Sequence, residues 1–576
     1  MNNSTSYWFN KTYFQSGEEH SFNLLWLAIF SISIIFIGLG LRDPWPADEP
    51  RFAQIAREMV ETGQWFFPMR GGELYPDKPP IFMWSIAVFY ALTGSLKVAF
   101  LLPSAICSVI TTFLVYDLGR RLWSSQVGWY AALLLLFSLQ FVLQAKSAQI
   151  DAMVCCWITI GCYGLIRQLI LNDGWKWFFL GSFFMGIGVI TKGVGFLPIL
   201  MLIPYVVARF VFPQKDEIKA SWQWFAGIIV LLSATLLWFI PMVYWVEQSQ
   251  NPLFEQYRDN ILFKQTGERY AKSWHHVKPF WYYFVEVIPI FWLPISLLLP
   301  WLVKKWTQAI KQGDRRIILI LGWIALLLLF FSLSPGKRGV YILPALPMLA
   351  LISAPYLKEI VALKWPKLLL YSLVIFLASI SLLAGIVGLV EIKATVKLTE
   401  KYAIEPWYYL LFIGICGLLV SWFLRKHKLY SWPVAIGLFW FIYSTWGYQL
   451  LNPVKTPRNV LENIAEKIPQ NSEIAMLGFR EQFLLFSPFS FTHFGYHTKV
   501  DPAQRAAWLW QGKNSQRYVL TFEQAEMSCF DMTQAIDVGW AHRKHWLLLP
   551  NTARLANCKH PKQSVNAYTF IPKTKI

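Results

Sequence analysis

Asp48, in LRDPWPADEPRFAQIAREMVETGQW, and Asp151, in AKSAQIDAMVCC, are acids set just outside long apolar runs. Around them the chain distributes cations and one tyrosine: Arg51, Lys78 in LYPDKPPIFMW, Arg258 and Arg269 in a second polar loop, and Lys337, Arg338 and Tyr341 in SPGKRGVYILPALP. Cations of this kind grip phosphate. A carboxylate beside them acts as base, metal ligand or stabiliser of positive charge. Acids and cations together at one membrane surface suit an amphipathic, phosphate-linked substrate. Each residue also has a plainer account. Asp48 opens DEPRFAQIAREMVETG, where an Asp N-cap, early Glu and Pro, and a Gly stop describe an ordinary interfacial helix. Asp151 reads as a cap of its own helix, and about half of the cations as side chains snorkelling to headgroups. Capping and chemistry are compatible.

The elements that must hold these residues follow from composition. The 576 residues are 56% hydrophobic and 15% charged, with 30 Trp and 44 Phe, whereas soluble domains carry about 25% charge. Thirteen apolar stretches are each long enough to cross hydrocarbon as helices: 22–40, 98–117, 127–146, 151–171, 175–191, 193–212, 223–245, 281–301, 316–333, 340–356, 366–391, 407–424 and 432–450. The run PPIFMWSIAVFYALTG at 79–94 is apolar but short, and charge decides its role. With it lying in the interface, GRRLW, KKWTQAIKQGDRR, KEIVALKWPK and RKHK fall on one side, which is then cytoplasmic. Asp48, Asp151, the loops 41–97 and 246–280 and the SPGKRG turn share the opposite, outer face.

The net charge of +19 therefore reports membrane sidedness and lipid headgroups, and with no continuous basic tract it does not point to nucleic acid. Residues 1–452 form the membrane domain. Residues 453–576 change character: TPRNVLENIAEKI reads as an amphipathic helix, EIAMLGF and RYVLTF as short strands, so a small soluble α/β domain is expected outside. Cys529 and Cys558 lie in it and pair if the compartment is oxidising. The other five cysteines lie in apolar runs as small hydrophobes.

ADEPRFAQIAREM, GELYPDKPPIFMW, AQIDAM and GKRGVYILPALPMLA, in that order, resemble the bacterial aminoarabinose transferases of lipid A, which belong with the protein O-mannosyltransferases in the GT-C class. The resemblance covers about residues 20 to 450. It departs in Pro50, where members more often carry Thr, and in the QID around Asp151. It implies an all-α GT-C fold of about thirteen transmembrane helices with juxtamembrane helices in the loop 41–97. It also implies transfer, with inversion, of 4-amino-4-deoxy-L-arabinose or a similar amino sugar from undecaprenyl phosphate to lipid A or a related envelope acceptor. By the motifs, Asp48 is the catalytic aspartate and Asp151 the second acid of the site. Lys78, Arg269 and Tyr341 hold the donor phosphate, with Arg51 and Lys337 beside them, and Arg258 competes for the place of Arg269. A divalent metal shared by Asp48 and Asp151 belongs to the same expectation. So does a bacterial inner membrane location with a periplasmic site and a periplasmic C-terminal domain. The alternatives are a periplasmic protein O-glycosyltransferase or another lipopolysaccharide sugar transferase. A lipid-linked sugar transporter is disfavoured because intramembrane charge is nearly absent away from the outer face.

Overall fold

The structure, a computed structural model, describes residues 17–213, 221–263, 277–402, 404–559 and 564–571. Most of it is helix, as an apolar chain crossing hydrocarbon requires, because only a helix satisfies its own backbone there. Among the described residues seven helices are long and apolar enough to cross a membrane, and two bent helix pairs raise the number to nine. The remaining expected stretches are shorter or less uniformly apolar helices, at Asn23–Phe36, Trp175–Lys192, Leu197–Val211 and Trp407–Phe423. The chain is a multi-pass membrane protein.

Two stretches read as continuous are broken. Helix Ser125–Leu136 turns by 70° into Leu139–Ala145, and Tyr283–Phe291 turns by 108° into Ile295–Lys311. In the second, VIPIFWLPIS carries Pro289 and Pro294, each lacking a helical N–H. The breaks meet. Leu139 N–H donates to the Leu293 carbonyl at 3.2 Å, so backbone groups freed by one break are taken up by the other. Gln140, at 2% exposure, accepts from the Trp292 indole N–H at 2.9 Å and donates to the Gly339 carbonyl at 2.9 Å.

The loop between the first two long helices carries a buried amphipathic helix, Glu49–Thr62, stopped by Gly63 at φ 76°. A hairpin of β1 (Met69–Arg70) and β2 (Glu73–Leu74) follows, then helix Ile81–Thr93. That last helix leads back to the face it left. Lys97, just beyond it, reaches Asp43 at 3.3 Å, so the loop closes back on the point where it leaves the first long helix.

Beyond residue 457, helix Arg458–Lys467 leads into a mixed sheet of β3 (Glu473–Met476), β4 (Ser490–His493), β5 (Arg517–Phe522), β6 (Ile536–Ala541), β7 (Lys544–Leu549) and β8 (Tyr568–Phe570), in the order β6–β7–β5–β3–β4–β8. β3 runs parallel to β4 and β5, and the outer pairs are antiparallel. Cys529 and Cys558 form a disulfide beside this sheet. The domain sits directly on the loop helix. Arg57 donates to the Leu485 carbonyl at 3.1 Å, and His493 shares a hydrogen bond with the Gly71 carbonyl at 2.9 Å.

Candidate active site

Asp48 stands at the mouth of the loop helix without capping it: its backbone is already helical and its carboxylate makes no cap bond. Gln149, not Asp151, occupies the N-cap of the helix Ile150–Leu169, and it too makes no side-chain cap bond. Both acids are therefore free of the plainer role, and both face cations. Arg338 Nη2 lies 3.2 Å from Asp48 Oδ2. Lys192 is ion-paired with Asp151 and sits 4.6 Å from the centre of the Tyr341 ring.

Arg338 joins the two acids electrostatically. Burial works against its charge, but Asp48 and then Asp151 outweigh it and hold the guanidinium above its ordinary range. The helices bring these groups together from positions up to 290 residues apart. Lys192 ends its helix, where a cation also suits the helix dipole.

The acids are set against each other by Glu49. Its Oε1 accepts from Ala148 N–H at 2.9 Å and from Arg42 Nη2 at 2.7 Å, and its Oε2 accepts from Trp45 N–H at 2.7 Å. Arg42 in turn donates to the Lys146 carbonyl at 2.8 Å. One buried pair thus pins the loop bearing Asp48 to the loop that leads into Asp151. Lys146 itself turns inward, donating to the carbonyls of Ile35 at 3.2 Å and Ile37 at 2.8 Å. Beside Asp48 lies a cavity of about 170 Å³ lined by Arg42, Trp45, Glu49, Gln149, Tyr443 and Tyr448 among others. Two of its buried polar atoms, Arg42 Nε and Gln149 Oε1, have no hydrogen-bond partner.

The remaining expected residues divide. Tyr341 is at the site. Lys78 is half-buried on the same face, its carbonyl accepting from Tyr257 at 3.2 Å. Arg269 lies outside the described residues. Arg258, its competitor, pairs with the neighbouring Asp259 at 2.9 Å. Lys337 needs correction: its ammonium is buried against the carbonyls of Ser334 at 2.6 Å and Lys278 at 2.9 Å, which fixes the turn and leaves Arg338 to face the acids. Arg51 also departs from a phosphate role, since its guanidinium is occupied by Glu481 at 2.8 Å and lies 3.6 Å from Asp48.

A shared metal fits these groups poorly. No set of three or more His, Cys, Asp or Glu that could hold one occurs among the described residues, and each carboxylate already faces a cation. Lys192 and Glu481 were not singled out from sequence. A lone charge ending an apolar run was a usable signal for Lys192, whereas Glu481 had none, its partner being 430 residues away.

Comparison with known proteins agrees with this architecture. Residues 77–245 match the family described as dolichyl-phosphate-mannose-protein mannosyltransferase. The undecaprenyl phosphate-alpha-4-amino-4-deoxy-L-arabinose arabinosyl transferase 1 of Pseudomonas fluorescens is 30% identical over 457 residues, covering 75% of this chain and 76% of that protein. The transferase of the same name from Serratia proteamaculans is 28% identical over 466 residues, covering 76% and 79%. The crystal structure of ArnT from Cupriavidus metallidurans bound to undecaprenyl phosphate superposes with a TM-score of 0.70 at 18% identity, covering 94% of this chain and 99% of that one.

Proposed function

This chain belongs to the undecaprenyl phosphate-aminoarabinose arabinosyl transferase family, and on that premise we propose that it moves 4-amino-4-deoxy-L-arabinose from undecaprenyl phosphate to a phosphate of lipid A, with inversion. It is a glycosyltransferase of the GT-C class. The observation that carries the reading is the convergence of Asp48 and Asp151 on one face, each opposed by a cation. Departure of the polyprenyl phosphate builds negative charge on its oxygens and positive charge on the sugar ring. Arg338 and Lys192, already fixed by the acids, together with Lys78 and Arg269, meet the phosphate; Tyr341 packs beside them. Charges held in place before the reaction favour the transition state over the ground state.

Asp48 borders the polar cavity, whose unpartnered donor and acceptor suit the hydroxyls of a pentose. A lipid A phosphate arrives as an anion, its second pKa being near about 6, so it needs no base: the cations orient and screen it, and Asp48 stabilises the positive charge that builds on the ring. A hydroxyl acceptor would instead use Asp48 as base.

The site face is periplasmic and the protein resides in the inner membrane. Support comes from the Arg- and Lys-rich turns at the opposite ends of the helices, including Arg120, Arg121, Arg315 and Arg316, and from the disulfide of the C-terminal domain. Transfer assayed with purified protein, donor lipid and lipid A tests the whole reading. Asp48→Asn abolishes transfer while donor binding persists; normal turnover by that variant sinks the role of Asp48. Unmodified lipid A after turnover with wild type sinks the acceptor.

A further inference from the structure

Glu481 opens a short helix of the C-terminal domain, Glu481–Phe486. Its Oε1 accepts from Arg51 Nε at 2.8 Å and from Arg70 Nη1 at 3.3 Å. The Arg51 guanidinium is further confined between the rings of Tyr75 and Tyr496, at 5.8 Å and 5.7 Å. Its other edge points to the catalytic loop, with Nη1 3.6 Å from Asp48 Oδ1. That separation is longer than a hydrogen bond. Arg51 stands one helical turn beyond Asp48, close enough to fold onto it, while its Nε is held by Glu481.

We propose that Glu481 is a positioning residue of the transfer reaction: the C-terminal domain, through this carboxylate, holds Arg51 back so that Asp48 keeps an open edge toward the reacting groups. The proposal rests on the reading of Asp48 given above. It assigns the domain a part in the site rather than a separate activity. The rival account is docking alone. Docking, however, has several other contacts, among them Asp43 with Arg458 at 2.6 Å, Arg57 with the Leu485 carbonyl, and Glu73 with Tyr496 N–H at 2.9 Å. Loss of one carboxylate therefore leaves the domain attached.

The test uses full-length protein in lipid nanodiscs, with undecaprenyl phosphate-aminoarabinose as donor and lipid A as acceptor. Glu481→Gln lowers kcat by about tenfold to a hundredfold, the scale of a small misplacement of a reacting group, with little change in KM for the donor. Adding Arg51→Met to that variant restores most of the lost kcat, because no guanidinium remains to close on Asp48. Arg57→Met, which removes the hydrogen bond to the Leu485 carbonyl and has no hydrogen bond to Arg51 or Glu481, leaves kcat near wild type. The proposal is overturned if the double variant is no faster than Glu481→Gln, or if Arg57→Met and Glu481→Gln lose kcat in parallel with their melting temperatures. Normal turnover by Asp48→Asn in the same assay overturns the reading of Asp48, and this proposal with it.

Discussion

At the scale of single residues, the site is a set of opposed charges held close to the membrane edge. Asp48 and Asp151 stand out in the sequence as acids set just outside apolar runs beside loops rich in cations, although capping gives each a local explanation. Their partners stand out less. Arg338 shares its turn with Lys337, and nothing local says which of two adjacent cations turns to the acids; the carbonyls of Ser334 and Lys278 decide it by capturing Lys337. Lys192 lies 41 residues from Asp151, and only the packing of two helices brings them together. Replacing Lys192 by Met removes the cation paired with the Asp151 carboxylate. Transfer then falls by about 10²–10³, as for loss of one preorganised charge contact, and Lys192→Arg recovers part of it. Initial rates at saturating donor read both. Rates unchanged in Lys192→Met would confine this pair to structure.

At the scale of elements, periodicity and charge located the helices, and the loop helix with its Gly63 stop follows its sequence closely. The breaks were hidden. Ser138 is not a residue that ends helices by itself, and the second break sits inside a run apolar enough to read as one span. What stabilises them is long-range: the two breaks share a backbone hydrogen bond, and Gln140 ties both to Gly339, the neighbour of Arg338. Gln140 thus connects a membrane-buried irregularity to the position of a site cation. Gln140→Leu leaves the Gly339 carbonyl and the Trp292 indole N–H unpaired, at a cost of about 1–3 kcal/mol for each buried group. A lower melting temperature is expected, with a fall in kcat beyond that of a comparably destabilised variant elsewhere. A second lock is the buried pair of Arg42 and Glu49. Glu49→Gln strands the guanidinium, and breaking such a pair costs about 3–5 kcal/mol, visible as a large drop in melting temperature before any assay.

At the scale of the whole molecule, two faces and a docked domain make one structure. Charge counts over short loops add up along the chain, and they carry the proposed sidedness. The docking was not legible in the sequence, since it depends on pairs such as Gly71 with His493, 422 residues apart. Sidedness is open to labelling. Gln250, after a long helix on the site face, and Gln312, at the opposite end, are both exposed. A cysteine at 250 should react with a membrane-impermeant maleimide in intact spheroplasts, and one at 312 only after permeabilisation; the reverse pattern inverts the orientation. The docked domain should also be acid-sensitive. His493 lies fully buried under Phe479 and Tyr568, and burial is the main force pushing it down to about 4 from its ordinary 6.5. Its Nε2–H donates to Gly71 and its Nδ1 accepts from Gly495 N–H at 3.2 Å, so a second ring proton displaces the Gly495 bond. Between those two values the unfolded domain binds more protons than the folded one, so stability falls as pH falls from 6.5 to 4. At about 1.4 kcal/mol per unit the loss approaches about 3 kcal/mol. His542, pushed down to about 4 by burial as well, adds a loss of the same sign. Melting temperatures between neutral pH and pH 4.5 should therefore decline steeply in wild type and about half as steeply in His493→Asn, even though that variant starts lower. Parallel slopes would assign the acid sensitivity to groups away from the docking surface.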